Sequence, residues 1–131
     1  MSADYPEDLR YTREHEWTRI DGNTVQIGIT RFAVEQLGDV TMVEFPDEGD
    51  TVTKDEVFGT VESVKAVSDL YAPVSGKVAR TNTPLADTPE HINEDPYGEG
   101  WLLEIEMSDP SELGELMDAA AYEAFVAEEE A

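Results

Sequence analysis

Lys65 is the residue whose type and setting single it out for chemistry. It lies in the stretch "GTVESVKAVSDLYAPVSG", Gly59 to Gly76, flanked by Val64 and Val67, and is one of only three lysines in the chain. A lysine ε-amine can be acylated, which removes its charge and attaches a long arm. The plain alternative is a solvated lysine paired with Glu62, an interaction of little weight. Three features favour acylation over that alternative. The neighbours are valines rather than polar residues, the lysine falls where the segment has to fold back, and it persists in a chain that uses very few lysines.

No second constellation competes with it. His15 and His91 are far apart in sequence, and neither has a second ligand at metal spacing, so each reads as a structural or surface histidine and no metal site is expected. Acidic pairs are too numerous for any one of them to mark a general acid and base. "NEDPYGEG" half-resembles a calcium loop, but Tyr97 stands where a ligand is needed. "GEGWLL" fails the dinucleotide fingerprint because Leu103 replaces the last glycine. There is no nucleophile elbow and no phosphate loop. The chain has no cysteine, which removes disulfides, thiolate metal sites and a thiol nucleophile. Any sulfur chemistry has to arrive on a cofactor.

The charge bounds the partners. The 131 residues carry 31 acids against 8 bases, a net charge of −23. From Thr81 to Ala131 there are 15 acids and no Lys or Arg. Phosphates are repelled by such a surface, so nucleic acid is excluded as an expected partner. Charge of one sign also strains the compact state at low salt, and salt screens it beyond about 8 Å at physiological strength and about 3 Å at 1 M. The composition predicts a chain adapted to a salt-rich cytoplasm, from a halophilic organism, with carboxylates in place of surface lysines. About 40% of residues are apolar, enough for one modest core. No apolar window approaches the length of a membrane span, and the acidic start of the chain has no signal-peptide core. A cytoplasmic monomer is expected.

The elements that have to position Lys65 follow from local pattern. Residues 1–10 read as a polar arm, and 11–131 as a single domain. "WTRI-DGN-TVQIGI" is a hairpin with Asp21-Gly22 at its turn. "TRFAVEQLGD" is a short helix capped by Thr30, with Ala33 and Leu37 on one face and Gly38 at its end. "VTMVEF" is a strand, and "DEGDTVTKDE" is turn-rich with a short strand inside. Val57 to Ala72 is 16 residues of β-prone sequence, too long for one strand of about 5–6 residues. The break belongs near Lys65. "KVARTN" starts another strand. Residues 83–100 read as one long loop with three prolines, a length usually functional or disordered. "WLLEIEM" is a strand with Trp101, Leu103, Ile105 and Met107 on one face. From about residue 109 the chain is helical. Asp109 is the cap of a first helix, Pro110 its first residue, Glu112 closes a capping box, and Leu113, Leu116 and Met117 form its stripe. A second helix turns Tyr122, Phe125 and Val126 inward.

At this point the residues resemble a known family. "GTVESVKAVSDLYAPVSGKV" is similar to the lipoyl-attachment region of the glycine cleavage system H proteins. "YTREHEWTRIDGNTVQIGITRFAVEQLGDVTMVEFPDEGD" resembles that family's N-terminal part, and "NEDPYGEGWLLEIEMSDPSELGELMDAAAYEAF" its C-terminal part. The likeness runs from about Tyr11 to Phe125, with E-S-V-K-A, H-E-W and D-P-Y-G-E-G-W in order. Biotin carriers usually flank their lysine with methionines; here Val64 and Ala66 do so, which disfavours biotin.

The resemblance implies a mainly β fold, a barrel-sandwich hybrid of two antiparallel sheets with a short internal helix and C-terminal helices. It implies a carrier rather than an enzyme, with lipoate in amide linkage to Lys65. The carrier would take an aminomethyl group from a pyridoxal-phosphate-dependent glycine decarboxylase to an aminomethyltransferase. Dihydrolipoamide dehydrogenase would reoxidise the arm, and a lipoate ligase or a lipoyl or octanoyl transferase would attach it. The family parks the loaded arm in a cleft, where a cationic cargo wants a carboxylate and little water. By motif match the cargo-cleft candidates are Glu16 of "HEW" and Asp69 of "KAVSD", with Glu14 standing where some members have a hydroxyl residue. A relay that donates lipoate to other complexes, and an unmodified acidic interaction module, are the alternative readings.

Overall fold

The computed structural model describes residues 5–130. In chain order it forms β1 (Arg10–Tyr11), β2 (Glu16–Asp21), β3 (Thr24–Ile29), α1 (Arg31–Leu37), β4 (Val40–Glu44), β5 (Thr51–Val52), β6 (Val57–Ser63), β7 (Val67–Tyr71) and β8 (Gly76–Thr81). A 3₁₀ turn (Thr83–Ala86), α2 (Glu90–Glu94), β9 (Leu103–Met107), a second 3₁₀ turn (Pro110–Glu115) and α3 (Ala119–Glu130) complete it. Every pairing is antiparallel. One sheet has six strands in the order β1-β2-β3-β9-β8-β5, and the other has three in the order β4-β6-β7. This is the mainly β, two-sheet barrel-sandwich architecture that the family resemblance implies. No helix among the described residues is long and apolar enough to cross a membrane.

Alternation explains which sheet faces close on each other. Val25 and Ile27 of β3, and Leu103, Ile105 and Met107 of β9, point inward with Val52, Ala72, Val74 and Val78. A second cluster joins Ile29 to Val34 and Leu37 of α1, Val40, Val61 and Leu70 of the smaller sheet, and Leu85, Ile92 and Leu102. Phe45 and Phe58 pack against both clusters. Each fully buried Leu or Ile contributes roughly 1.5–3 kcal/mol relative to exposure, so these two clusters fix the sheets face to face. Gly28 is required beside Trp17, because a Cβ there would stand 2.5 Å from the indole.

Three expectations need correction. Residues 5–9 are not a polar arm: Tyr5 and Leu9 are buried in an aromatic cluster with Tyr11, Trp17, Phe32 and Tyr122. Two isolated apolar residues in a polar stretch carry no periodic signal. Residues 1–4 of the expected arm lie outside the described residues. The stretch 83–100 is not a structureless loop. It holds the 3₁₀ turn and α2, and it buries Leu85 and Ile92. Finally, the first C-terminal element is a 3₁₀ turn in which no residue is buried. Asp109 does cap it, accepting from Ser111 N–H at 3.1 Å. Glu112 instead reaches across to Ser75, accepting from its N–H at 2.7 Å and its hydroxyl at 3.0 Å. A tertiary donor pair outcompetes the local cap.

Candidate functional site

Lys65 sits at the turn between β6 and β7, where the length argument places it. The turn closes through Ser63 N–H donating to Ala66 C=O at 2.8 Å. The Ser63 hydroxyl oxygen accepts from the N–H groups of Lys65 and Ala66 at 3.2 and 3.1 Å. Val64 N–H donates to Asp39 C=O at 3.0 Å, which ties the tip to the segment after α1. The backbone of the tip is therefore fixed, while Val64, Lys65, Ala66 and Val67 are all exposed. Val64 and Val67 are 68% and 65% accessible. The turn thus presents an amine among exposed valines.

Beside the tip lies a cleft of about 380 Å³. One wall is α1, which contributes Phe32, Ala33, Gln36 and Leu37; the other is β7 with Ser68, Asp69, Leu70 and Tyr71. Ile29 and Val61 add apolar lining, and Glu14 and His15 line it as well. Ala66 lines it too, so the cleft begins next to Lys65.

The wall α1 is held at both ends. Its first N–H groups are met by the Tyr97 hydroxyl (Arg31 N–H, 2.9 Å) and by Thr30 Oγ1 (Ala33 N–H, 3.3 Å). It ends at Gly38, whose φ is +77°, a conformation that side chains resist. Asn93 then clamps the exit, donating to Gly38 C=O and accepting from Val40 N–H, each at 2.8 Å. Tyr97 of "DPYGEGW" and Asn93, two residues before that motif, supply this support from far along the chain. Pro96 C=O also accepts from the Trp17 indole N–H at 2.9 Å, so it meets the "HEW" segment directly.

The sequence-derived candidates divide. Asp69 and Glu14 are exposed and line the cleft, Asp69 on the β7 wall. Glu16 does not line it. Its side chain is 1% accessible, and Oε2 accepts the backbone N–H of Tyr71 at 2.7 Å. Its Oε1 has no hydrogen-bond partner among the described residues. Burial pushes its carboxyl well above the usual range, aided by nearby Glu14 and Asp55 and opposed by the Tyr71 bond. Glu16 is nonetheless bracketed by cleft residues: His15 precedes it, Ile29 is its cross-strand partner and Tyr71 its donor.

The cleft residues Phe32, Gln36, Leu37, Tyr71 and His15 are not legible as a site in the sequence. They come from separated segments, and the apolar ones read locally as core. His15 reads as structural, and it does pack between Phe32 and Phe125 at ring distances of 4.7 and 5.7 Å. It also faces the cleft. Its φ of +67° is the feature that distinguishes it, and no one-dimensional pattern displays that.

Comparison with known proteins places this geometry. A family model described as glycine cleavage H-protein matches residues 9–129. The chain is 66% identical over 125 residues to the glycine cleavage system H protein of Anaeromyxobacter sp. strain K, covering 95% of this chain and 98% of that one. It is 56% identical over 122 residues to a probable glycine cleavage system H protein of Haloarcula marismortui, covering 93% and 96%. A crystal structure of a glycine cleavage system H protein from Mycobacterium marinum superposes with a TM-score of 0.83 at 45% identity, covering 89% of this chain and 94% of that one.

Proposed function

The chain belongs to the glycine cleavage H-protein family, and from that premise we propose that it is the lipoyl carrier of glycine cleavage, with lipoate in amide linkage to Lys65. The carrying observation is the exposed amine of Lys65 on a hydrogen-bonded hairpin tip that opens onto a partly apolar cleft. The protein shuttles cargo between the enzymes of the system and is not itself a catalyst.

The residues present suit such an arm. Lipoate supplies the sulfur pair that accepts and releases the aminomethyl group, in a chain that has no cysteine. Phe32, Ala33, Leu37, Ile29 and Leu70 give apolar lining that excludes water from a docked arm. Asp69 and Glu14 offer carboxylates within the cleft to a cationic cargo. Oε1 of buried Glu16 lies behind cleft residues and has no hydrogen-bond partner among the described residues. Hydrogen bonds with Ser63 and Asp39 brace the backbone around the attachment point.

The working partners in this reading are glycine decarboxylase, aminomethyltransferase, dihydrolipoamide dehydrogenase and the enzyme that acylates Lys65. The exposed Val64 and Val67 suit short-range apolar docking around the hairpin, because long-range steering is screened at salt.

Intact mass of the natively expressed protein tests the assignment. A gain of one lipoyl group in the wild type, absent in Lys65→Arg, is the expected result. Unshifted mass in cells that lipoylate other proteins sinks it. Loading with glycine and the decarboxylase then reads the carrier role directly.

A further inference from the structure

The C-terminal helix α3 reaches the cleft residue His15 by two side-chain contacts. Nε2 of His15 lies 3.2 Å from Glu129 Oε2, and Nδ1 lies 2.9 Å from the Tyr122 hydroxyl, both on α3. The Tyr122 hydroxyl lies 2.7 Å from Thr30 Oγ1, which in turn accepts the Ala33 N–H at the start of α1. The His15 carbonyl accepts the Thr30 N–H at 3.0 Å, so backbone and side chain grip the same residue. Among the described residues outside glycine, only His15 and Asp55 have positive φ. Backbone held in that region by its surroundings often marks a constraint tied to function.

On the carrier reading above, we infer that His15 is a positioning residue, which with Tyr122 couples α3 to α1 and so sets the wall against which the arm docks.

Proton counting shows that the chain of bonds is closed. A carboxylate only accepts, so Nε2 carries a proton toward Glu129. With a neutral ring, Nδ1 accepts from Tyr122, and the Thr30 hydroxyl donates to the Tyr122 oxygen. With a protonated ring both bonds reverse: Nδ1 donates to Tyr122, and Tyr122 donates to Thr30. Thr30 Oγ1 keeps the Ala33 N–H in either case. The coupling therefore runs from α3 to the first turn of α1 in both protonation states, and Phe32, against which His15 packs, is itself a cleft residue.

Two variants separate hydrogen bonding from packing. Tyr122→Phe removes one hydroxyl, and His15→Phe keeps a ring between Phe32 and Phe125 while removing both nitrogens. The first measurement uses the unmodified full chain and follows amide hydrogen exchange. The α1 amides should exchange about 10-fold faster in either variant, within the range of couplings carried by such networks, while β8 and β9 amides hold. The double variant should resemble the stronger single one, because both act in one chain of bonds. The second uses the lipoylated, loaded protein. Hydrolysis of its aminomethyl thioether takes one water and yields the free thiol, formaldehyde and ammonium, so formaldehyde release times the loss. Release should be slow in the wild type against the same group on free dihydrolipoamide, and several-fold faster in both variants. Unchanged α1 exchange in Tyr122→Phe overturns the coupling. A protected wild type with equally protected variants overturns the role of His15 and leaves the carrier reading standing. A wild type no better protected than free dihydrolipoamide overturns the cleft as the arm's berth, and the role of His15 with it.

Discussion

The Glu16 carboxylate accepts the Tyr71 backbone N–H at 2.7 Å, joining a strand of the six-stranded sheet to one of the three-stranded sheet. Burial raises its carboxyl well above the usual range, so the folded state favours the neutral acid. A carboxyl with a raised folded pKa contributes its full stability below the unfolded value of about 4.3 and loses it as pH rises toward the folded value. Glu16→Gln keeps an oxygen for Tyr71 and cannot ionise. Its stability relative to the wild type should therefore increase from pH 5 to pH 8.5, read from urea midpoints at each pH. Because every other carboxylate is common to both proteins, a difference that stays flat across that range refutes a neutral Glu16.

Gly38 and Lys65 are packed against each other: a Cβ on Gly38 would stand 3.2 Å from Lys65 Cε. The same residue ends α1 at φ +77°. Gly38→Ala thus meets two penalties, a positive-φ, extended-ψ backbone (φ +77°, ψ −152°) that is nearly glycine-only, at about 1–3 kcal/mol, and displacement of the lysine stem. Stability should fall by about that amount in chemical denaturation. The stem, being flexible, should swing aside, so lipoylation of Lys65 should persist by intact mass. A variant of wild-type stability would mean that α1 can end another way.

Asn93 is the brace beneath the same corner. Removing its amide by Asn93→Ala leaves Gly38 C=O and Val40 N–H without their present partners. Losing such partners costs about 1–3 kcal/mol where water cannot replace them. Thr88→Ala is the control, since its exposed hydroxyl bonds only Pro84 C=O and His91, and it should stay within about 0.5 kcal/mol. Equal effects for the two variants would show that water enters the α1–β4 corner freely.

The contrast between these residues shows what a linear reading captures. The hairpin break at Lys65 is legible because 16 β-prone residues exceed the length of a strand, and β6 and β7 do end at Ser63 and begin at Val67. The α1 boundaries are legible because Thr30 and Gly38 carry local, conformational reasons for being there. The cleft is not, because its walls are assembled from α1 and β7, whose proximity depends on sheet packing. Glu16 is one acid among 31, and its burial depends on a donor 55 residues away. Glu112 illustrates the same limit: its local capping box holds until Ser75 arrives from the β7–β8 connection.

Salt should stabilise this protein, and the shape of the response tells why. Among the described residues, the ion pairs printed for lysine and arginine are those of Lys54 and Arg80, against 31 acids in the chain. Unneutralised like charge opposes compaction. Raising NaCl from 0.1 to 1 M shortens the screening length from about 10 Å to about 3 Å, so the melting temperature should climb through that interval. Beyond 1 M little repulsion is left to screen. A plateau there assigns the gain to charge repulsion alone. A continued rise in potassium chloride and sodium chloride alike points instead to salt excluded from, or organised by, the carboxylate surface. A melt that is flat or falls with salt removes the case for adaptation to a salt-rich cytoplasm and leaves the acidity of the surface without a role in stability.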